Sequence, residues 1–355
     1  MTTAPAALTR LRAEVDAALA PALDRRLPRL VDYHPALQPV ADHLRDFVGG
    51  GKRIRPVLLL LGSSAAGGPD HAAVMGPAIA LELLHTCALV HDDVIDRAET
   101  RRGRPTIHHA FADVHGDAGW QGDGRAYGEA VAILLGDLAF VLADELFLTA
   151  DVAADHLLAG LAGFTRLREE VMAGQYLDLW AATSRTTDRD LAERIAAMKS
   201  GWYSVARPLE IGALLAGAGP DLVAGLVRFG DPLGRAFQVR DDLLGVFGQS
   251  DATGKSTLGD LAEGKRTLLI AEAAARLDPQ GWADLDAHLG DPDLDDATGR
   301  RIRDALVASG AKAAAEAYVQ DEIAAARREL DQLEVPGDVA AALAAVADYL
   351  GARDT

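Results

Sequence analysis

The chain has 355 residues, of which 49% are hydrophobic and 25% charged, as in a globular protein with a large apolar core. Its 35 basic and 53 acidic side chains give a net charge of −18, which argues against nucleic acid or an anionic membrane as a partner. A single cysteine, Cys87, excludes an internal disulfide and fits a reducing compartment, so we expect a cytoplasmic protein. No stretch reaches the roughly 18 consecutive apolar residues of a membrane helix, so we expect no integral membrane segment.

Apolar residues recur at intervals of three and four along most of the chain, and alternating runs of β-branched residues are rare. This pattern predicts an all-α fold. Without a linker or a repeat, one domain is favoured over residues 1–355, with 1–34 as a peripheral N-terminal helix. The predicted helices span residues 5–27, 35–48, 53–66, 71–98, 125–149, 151–182, 189–217, 220–247 and 266–276, followed by shorter ones to 352. Segments 113–124 and 290–296 are predicted to be solvated loops.

An acidic cluster, His91-Asp92-Asp93-Val94-Ile95-Asp96, ends one of the apolar helices. At about 100° per residue, Asp92 and Asp96 share an arc of about 80° with His85 and Ala88, and Asp93 lies about 100° away from Asp92 as a supporting residue. Two carboxylates so placed repel each other until a cation arrives, and Mg²⁺ commonly takes one or two carboxylates plus phosphate oxygens. A solvated helix end with chance aspartates is the alternative, and a lone histidine such as His85 is also common as a hydrogen-bonded core residue.

A second acidic cluster, Gln238-Val239-Arg240-Asp241-Asp242, interrupts another apolar helix. Gln238 and Asp241 are three residues apart and share a face, with Phe237 beside them. Adjacent aspartates are common on surfaces, so the significance of this cluster comes from being the second of two.

The cationic residues of two segments indicate anion binding. Lys52 and Arg55 lie at a loop-to-helix junction and can converge on one anion, where free backbone N–H groups add to the site, while Arg53 is expected to point elsewhere. Arg101 and Arg102 offer planar forks that can bind two different anions. Two anions imply two phosphorylated substrates.

Further lysines occur at Lys199, Lys255 and Lys265, and each alone is typical of a surface. Gly254-Lys255-Ser256 suggests a nucleotide-binding loop, but such a loop requires glycine at the position that Gln249 occupies. No strand pattern precedes this segment either, which argues against a nucleotide site.

Together these residues resemble the trans-prenyltransferase family, the isoprenyl diphosphate synthases, from about residue 35 to 350. The motifs that carry the resemblance, in the order of the family, are Gly-Gly-Lys-Arg-Ile-Arg-Pro at 50–56, His85-Thr86-Cys87 with Asp92 to Asp96, Arg101-Arg102-Gly103, Lys199-Ser200-Gly201, and Phe237 to Asp242, with Lys255 and Lys265 after them. The resemblance implies the isoprenoid synthase fold, an antiparallel helix bundle around a deep apolar cavity, and a homodimer.

The resemblance also implies a role for each matching position. Isopentenyl diphosphate is expected to bind Lys52, Arg55, His85 and Arg102, and the allylic diphosphate Arg101, Lys199, Ser200, Gln238, Lys255 and Lys265. Lys199, Ser200 and Gln238 are the expected catalytic group, Asp92, Asp96 and Asp241 the metal ligands, and Asp93 and Asp242 supporting acids for three Mg²⁺ ions.

The implied reaction condenses isopentenyl diphosphate with dimethylallyl, geranyl or farnesyl diphosphate. In the family, bulky aromatic residues four and five positions before the first aspartate stop growth at farnesyl. Ala88 and Cys87 hold those positions here, so geranylgeranyl diphosphate is the expected product, with farnesyl or longer chains as alternatives.

Many relatives carry an aspartate where this chain has Gly245, so we expect weaker binding of the third metal ion. Ser200 stands where threonine is frequent, which preserves the hydroxyl. Two alternatives stay open at this point. A class I terpene cyclase shares the acidic cluster but has no use for a second anion site, and a non-catalytic subunit of a heteromeric enzyme is expected to lose its acidic clusters.

Overall fold

The computed structural model describes residues 6–68, 70–248 and 259–351, and nearly all of their regular structure is helical. This confirms the predicted all-α class. The helices are α1 (Ala6–Asp24), α2 (Leu27–Tyr33), α3 (Gln38–Val48), α4 (Ile54–Ala65), α5 (His71–Ile95), α6 (Ile107–Asp117), α7 (Gly124–Phe147), α8 (Ala154–Ser184), α9 (Arg189–Ile195), α10 (Arg207–Leu215), α11 (Pro220–Phe247), α12 (Gly259–Ala262), α13 (Leu268–Arg276), α14 (Pro279–Asp286), α15 (Asp296–Ala308), α16 (Ala311–Leu330) and α17 (Gly337–Gly351). A 3₁₀ turn (Pro35–Leu37) precedes α3, and a π-helical segment (Ala196–Ala206) joins α9 to α10.

The helix predicted over 5–27 ends at Asp24, and α2 follows it as a helix that the sequence did not predict. Pro28 has no N–H to donate to the carbonyl of Asp24, so the first helix ends there, and Pro28 lies in the first turn of the second. The apolar face of α1, including Leu11 and Val15, is buried in the main core. The extent of the domain, with 1–34 as its peripheral part, stays a prediction.

The prediction of a loop over 113–124 is wrong for its first part, because α6 extends to Asp117. The interior face of α6 includes His108 and His115 beside Ile107 and Phe111, and all four are buried. Histidines at interior positions conceal the apolar periodicity on which the prediction rested. Segment 290–295 is a loop as predicted, whereas Asp296 begins α15, and Asp295 caps this helix by accepting a hydrogen bond from the backbone N–H of Thr298.

A small hairpin that the sequence did not predict follows α5. Strands β1 (Thr100–Arg101) and β2 (Arg104–Pro105) pair antiparallel. Arg102 and Gly103 join them with φ of 53° and 73°, the left-handed conformation of a two-residue type I′ turn.

The described residues form two apolar cores that share α11 and α16. The main core contains residues of α1 to α8, α10, α11, α16 and α17, and the second lies between α11 and helices α12 to α16. Leu233 of α11 belongs to the first and Leu243 to the second, so one helix contributes to both.

The predicted helix over 189–217 contains the π-helical segment, which packs against α8 and α11 at glycines. A Cβ on Gly174 would lie 2.5 Å from the backbone nitrogen of Lys199, and one on Gly234 would lie 2.4 Å from the carbonyl oxygen of Gly201. Only glycine permits backbones to approach this closely. Such segments often occur at functional sites.

Helix α5 is long and apolar enough, by length and composition, to cross a membrane, with a mean hydropathy of 1.7. Its apolar window is 67% buried inside the protein, which is typical of a core helix. This helix brings the first acidic cluster to one end of the main core.

Candidate active site

The first acidic cluster lies where α5 ends and Asp96 caps it. The Asp92 and Asp96 side chains are only 22% and 10% exposed, so both carboxylates are largely removed from water. Burial first, and then the charge of Asp92, raise the pKa of Asp96 to about 7. The amide of Gln175, on α8, donates a hydrogen bond of 3.0 Å to Asp92. The pair is therefore poised to take up a cation or a proton.

Asp93 and Arg101 form a buried ion pair beside this cluster. Nε and Nη2 of Arg101 donate hydrogen bonds of 2.6 to 2.8 Å to both carboxylate oxygens of Asp93, which is 1% exposed. Asp93 thus orients Arg101. Arg102, across the hairpin turn, lies beside Gly50, where an added Cβ would be 2.8 Å from Nη1 of Arg102. The turn therefore directs the guanidinium of Arg101 to Asp93 and that of Arg102 to Gly50.

The second acidic cluster lies on α11. Asp242 is buried and accepts a hydrogen bond of 2.6 Å from the amide of Gln238. Burial, and next the charge of Asp260, raise the pKa of Asp242 to about 8. Asp241 is partly exposed. Gln238 thus orients Asp242, a contact within one helix turn.

Many relatives carry a carboxylate at position 245, and here a residue of another helix places its carboxylate in that space. A Cβ on Gly245 would lie 2.0 Å from Oδ2 of Asp260, the second residue of α12. An acidic group therefore lies where the second motif of many relatives carries its last aspartate.

Lys199 and Lys265 bind carboxylates around the two clusters. Nζ of Lys199 lies 2.6 Å from Asp178 and 3.9 Å from Asp92. Burial alone would lower the pKa of Lys199, but the charges of Asp178 and Asp92 outweigh it and raise the pKa, so the lysine is held as a cation. Lys199 therefore lies between α8 and the first cluster.

Lys265 lies in a denser acidic surrounding. Its Nζ is 2.5 Å from Glu263, 3.0 Å from Asp260 and 3.7 Å from Asp96. These charges outweigh burial and raise the pKa of Lys265 well above its ordinary value. Because Asp260 also faces Gly245, this lysine connects the two acidic clusters.

Four residues that contact the clusters or their lysines were not predicted from the sequence: Gln175, Asp178, Asp260 and Glu263. Gln175 and Asp178 are three residues apart on α8, a polar pair on one helix face that was a detectable signal. Asp260 and Glu263 both precede Lys265 in the sequence, but they do not form a comparable polar pair on one face of a predicted helix.

The predicted anion site of the first basic motif contains Arg55 and His85. Nη2 of Arg55 donates a hydrogen bond of 2.7 Å to Ser204, and its guanidinium lies 4.2 Å from the ring centroid of Tyr203. Nδ1 of His85 is 3.3 Å from the hydroxyl of the same tyrosine. Burial, then the charges of Arg55 and Arg101, lower the pKa of His85 well below its ordinary value, so His85 is neutral.

Three predicted residues have different environments. Lys52 is exposed and lines a groove with residues of α1 and α17. Ser200 lies half-buried in the π-helical segment next to Lys199. Lys255, with the Gly254-Lys255-Ser256 segment, lies outside the described residues.

The two predicted chain-length residues lie on α5, one turn before the acidic cluster. Cys87 is 6% exposed, its Sγ is 3.7 Å from Nδ1 of His91, and burial raises the pKa of its thiol to about 12. Ala88 is half-buried, and Leu81 and Leu84 are buried below it. Small side chains thus separate the acidic cluster from the leucines.

The donor set fits a hard divalent cation, since all the acidic groups offer oxygen ligands. Within residues 6–68, 70–248 and 259–351, no three histidine, cysteine, aspartate or glutamate side chains converge closely enough to hold a metal ion by themselves. A metal ion here would therefore need ligands from a substrate and water, as Mg²⁺ sites commonly do.

Comparisons with known proteins identify the family. The sequence matches the polyprenyl synthetase family over residues 35–306. The crystal structure of a geranylgeranyl pyrophosphate synthase from Corynebacterium glutamicum, complexed with isoprenyl diphosphate and magnesium, is 34% identical, covers 97% of this chain and 99% of its own, and has a TM-score of 0.93. A (2E,6E)-farnesyl diphosphate synthase from Mycobacterium tuberculosis is 35% identical over 263 residues, which are 72% of this chain and 66% of that relative. A nonaprenyl diphosphate synthase from the same organism is 32% identical over 308 residues, or 86% and 84% of the two chains.

These matches confirm the resemblance drawn from the motifs. The chain belongs to the polyprenyl synthetase family and has the isoprenoid synthase fold of geranylgeranyl diphosphate synthases.

Proposed function

We propose that this chain is a trans-prenyltransferase that condenses isopentenyl diphosphate with an allylic diphosphate and releases diphosphate. One observation carries the proposal: Lys199 lies beside Asp92, and Lys265 lies beside Asp96 and Asp260, while a separate group of cations acts on His85. Those cations include Arg55 and Arg102. Two anion sites suit two phosphorylated substrates. A terpene cyclase needs only one of them.

Asp92, Asp96 and Asp241 are the proposed ligands of three Mg²⁺ ions, with Asp93, Asp242 and Asp260 as supporting acids. Magnesium, when bound there, neutralises charge on the allylic diphosphate as its C–O bond breaks. The raised pKa of Asp96 and of Asp242 supports this assignment, because burial disfavours the charge of both carboxylates more than their neighbouring groups offset it.

The chain's own residues bind and orient the substrates. Arg101, Lys199, Ser200, Gln238, Lys255 and Lys265 bind the allylic diphosphate, and Lys52, Arg55, His85 and Arg102 bind isopentenyl diphosphate. The C–O bond electrons leave with diphosphate, the double bond of isopentenyl diphosphate forms the new C–C bond, and the proton lost from it passes to the departing diphosphate. The protein supplies positioning, electrostatic stabilisation and exclusion of water rather than a general base.

Geranylgeranyl diphosphate is the proposed product. Ala88 and Cys87 are small where aromatic residues of the family would stop chain growth, and the buried Leu81 and Leu84 lie deeper along the same helix. Relatives of similar identity are named for farnesyl and nonaprenyl products, so family membership alone does not set the chain length. The proposal therefore assigns chain length to these local side chains.

A homodimer is the proposed assembly. Exposed apolar side chains on two neighbouring helices are Leu134 and Val141 on α7 with Leu148 at its C-terminal cap, and Leu158, Met172, Tyr176, Leu179 and Trp180 along α8. The seven-residue spacing along α7 matches the seam of packed helices, and exposed apolar faces mark interaction sites. Analytical ultracentrifugation tests this, and a monomeric Leu134→Glu variant is the expected control.

The deciding experiment incubates the purified chain with Mg²⁺, labelled isopentenyl diphosphate and each short allylic primer. Chromatographic sizing of the dephosphorylated products should show a twenty-carbon alcohol. Diphosphate release from an allylic substrate alone would instead support a cyclase, and inactivity of the purified chain would support a non-catalytic subunit. A cytoplasmic location is proposed from the single free cysteine.

A further inference from the structure

Two lysines with different proposed substrates are each followed by a buried arginine. These pairs are Lys52-Arg53 and Lys265-Arg266, and Arg53 and Arg266 are only 3% and 5% exposed. Arginine is almost never fully buried unless it is paired. Each arginine therefore points into the protein beside a lysine assigned to a substrate.

Arg53 is surrounded by the loop from which it comes. Its Nε donates a hydrogen bond of 2.8 Å to Asp16, and its Nη1 donates one of 2.6 Å to Glu82. Nη1 and Nη2 also donate to the carbonyl oxygens of Gly50 and Val48, at 2.8 and 2.7 Å. The backbone accepts a φ of 55° at Arg53 to permit this. The guanidinium thus attaches the loop to α1 and α5.

The ion pair between Arg53 and Glu82 also lies against Gly51, the residue before Lys52. A Cβ on Gly51 would be 3.2 Å from Nη1 of Arg53, 3.3 Å from Oε1 of Glu82 and 3.5 Å from Nη2 of Arg102. The loop position set by Arg53 therefore determines where Lys52 and Arg102 stand.

Arg266 is attached in the other half of the molecule. Its Nη1 donates a hydrogen bond of 2.5 Å to Asp286, whose carboxylate also accepts from Nη2 of Arg185 at 2.8 Å. Burial alone would raise the pKa of Asp286, but the hydrogen bonds from Arg185 and Arg266 outweigh it and hold the pKa below its ordinary value. Arg185 is the residue that ends α8, so the segment bearing Lys265 is fixed to the helix that carries Asp178.

We infer that Arg53 and Arg266 are positioning residues, each for one substrate: Arg53 holds Lys52 and Arg102 for isopentenyl diphosphate, and Arg266 holds Lys265 for the allylic diphosphate. The inference rests on the proposed function, which assigns those cations to those substrates. Neither arginine touches a substrate, because both guanidinium groups face the protein interior.

The test removes the partner charge while keeping side-chain size, with Glu82→Gln and Asp286→Asn. Glu82→Gln should raise the KM for isopentenyl diphosphate about tenfold and leave the KM for the allylic substrate unchanged. Asp286→Asn should raise the KM for the allylic substrate about tenfold and leave the KM for isopentenyl diphosphate unchanged. A purely structural role would not give this reciprocal pattern.

Matched controls come from two other buried glutamates that pair with arginines outside the site. Glu210 pairs with Arg166 and Arg207, and Glu272 pairs with Arg189 and Arg276. Glu210→Gln and Glu272→Gln should lower the Tm as the test variants do, but leave both KM values unchanged. If either test variant does not fold, Asp16→Asn weakens the second ion pair of Arg53, and Arg185→Lys weakens the second ion pair of Asp286, both from more exposed positions.

Lys52→Ala and Lys265→Ala distinguish the positioning inference from the assignment of each lysine to a substrate. If these variants raise one KM each while Glu82→Gln and Asp286→Asn raise both equally or neither, the positioning inference is wrong and the substrate assignment stands. If the lysine variants show no substrate selectivity, the assignment in the proposed function fails, and the inference fails with it.

Discussion

The Asp260 carboxylate occupies the space that a side chain at Gly245 would fill, with Oδ2 only 2.0 Å from the position of a Cβ there. The two residues are on different helices, α11 and α12. An acidic group missing from one motif is therefore present in space, provided by a residue that the sequence motif does not include. Glycine at 245 is the residue that leaves room for it.

Restoring the family's usual residue should impair the enzyme. In Gly245→Asp the new carboxylate would overlap Asp260 and repel it, so we expect the Mg²⁺ concentration for half-maximal activity to rise about tenfold or more. Gly245→Ala should have a smaller effect in the same direction, because its Cβ displaces Asp260 without adding charge. Activity measured against Mg²⁺ concentration tests both.

Gly116→Ala is the control for this prediction, since nothing lies within 4 Å of a Cβ at that position in α6. It should leave the Mg²⁺ requirement unchanged and, at an exposed helix position, add up to about 1 kcal/mol of stability. A fully active Gly245→Asp enzyme with an unchanged Mg²⁺ requirement would show that Asp260 has no part in metal binding.

Stability without metal should fall as the pH rises. Burial raises the pKa of Asp96 to about 7 and that of Asp242 to about 8, whereas the unfolded chain titrates near about 4. Between these values the folded state holds more protons than the unfolded state, so the free energy of unfolding decreases as the pH rises through 7 and 8. Thermal denaturation in a chelator, from about pH 6 to about pH 8.5, measures the effect.

Mg²⁺ should reverse this trend, because it binds the deprotonated carboxylates and stabilises the protein more at high pH. In Asp242→Asn without metal, the free energy of unfolding should decrease less steeply as the pH rises. The part of the decrease that comes from Asp96 should remain. A metal-free Tm that does not change over this range would contradict the raised pKa values.

Bulk at position 88 should shorten the product. Ala88→Phe places an aromatic ring below Asp92, where the side chain is now small, so products should end at fifteen carbons or fewer. Ala88→Val should give an intermediate distribution. Product sizing at equal conversion is the measurement, and an unchanged chain length in Ala88→Phe would mean that the floor of the cavity lies elsewhere.

Asp178→Asn tests a residue that the motifs did not reveal. Asp178 holds Lys199 at 2.6 Å and keeps it charged, so its loss should raise the KM for the allylic substrate about tenfold to a hundredfold. The KM for isopentenyl diphosphate should not change. Asp144→Asn is the control, because Asp144 pairs with Arg168 on α8 away from both clusters. Equal effects of both variants would assign Asp178 a structural role only.

Helical spacing was enough to predict the arrangement on α5, since His85, Ala88, Asp92 and Asp96 follow from 100° per residue within one continuous helix. Asp260 could not be predicted in this way. Its approach to Gly245 depends on how α12 packs on α11, which no local pattern encodes. Tertiary packing, rather than any weakness of the motif, accounts for this difference.

The missed elements have equally local reasons. The hairpin at Arg102-Gly103 is too short to show alternation, and its turn places an arginine, not an asparagine or aspartate, in the left-handed region. The π-helical segment keeps helical periodicity closely enough to be taken as part of one helix, so the sequence placed Lys199 on a helix without predicting the wider turns around it.

The proposed substrate sites draw on both apolar cores. Arg55 and His85 lie on helices of the main core, whereas Lys265 lies between α12 and α13 of the second. Local opening of the second core would therefore remove Lys265 from the proposed allylic site and leave the proposed isopentenyl diphosphate site assembled. Partial unfolding would then weaken binding of the allylic substrate first, before the fold as a whole is lost.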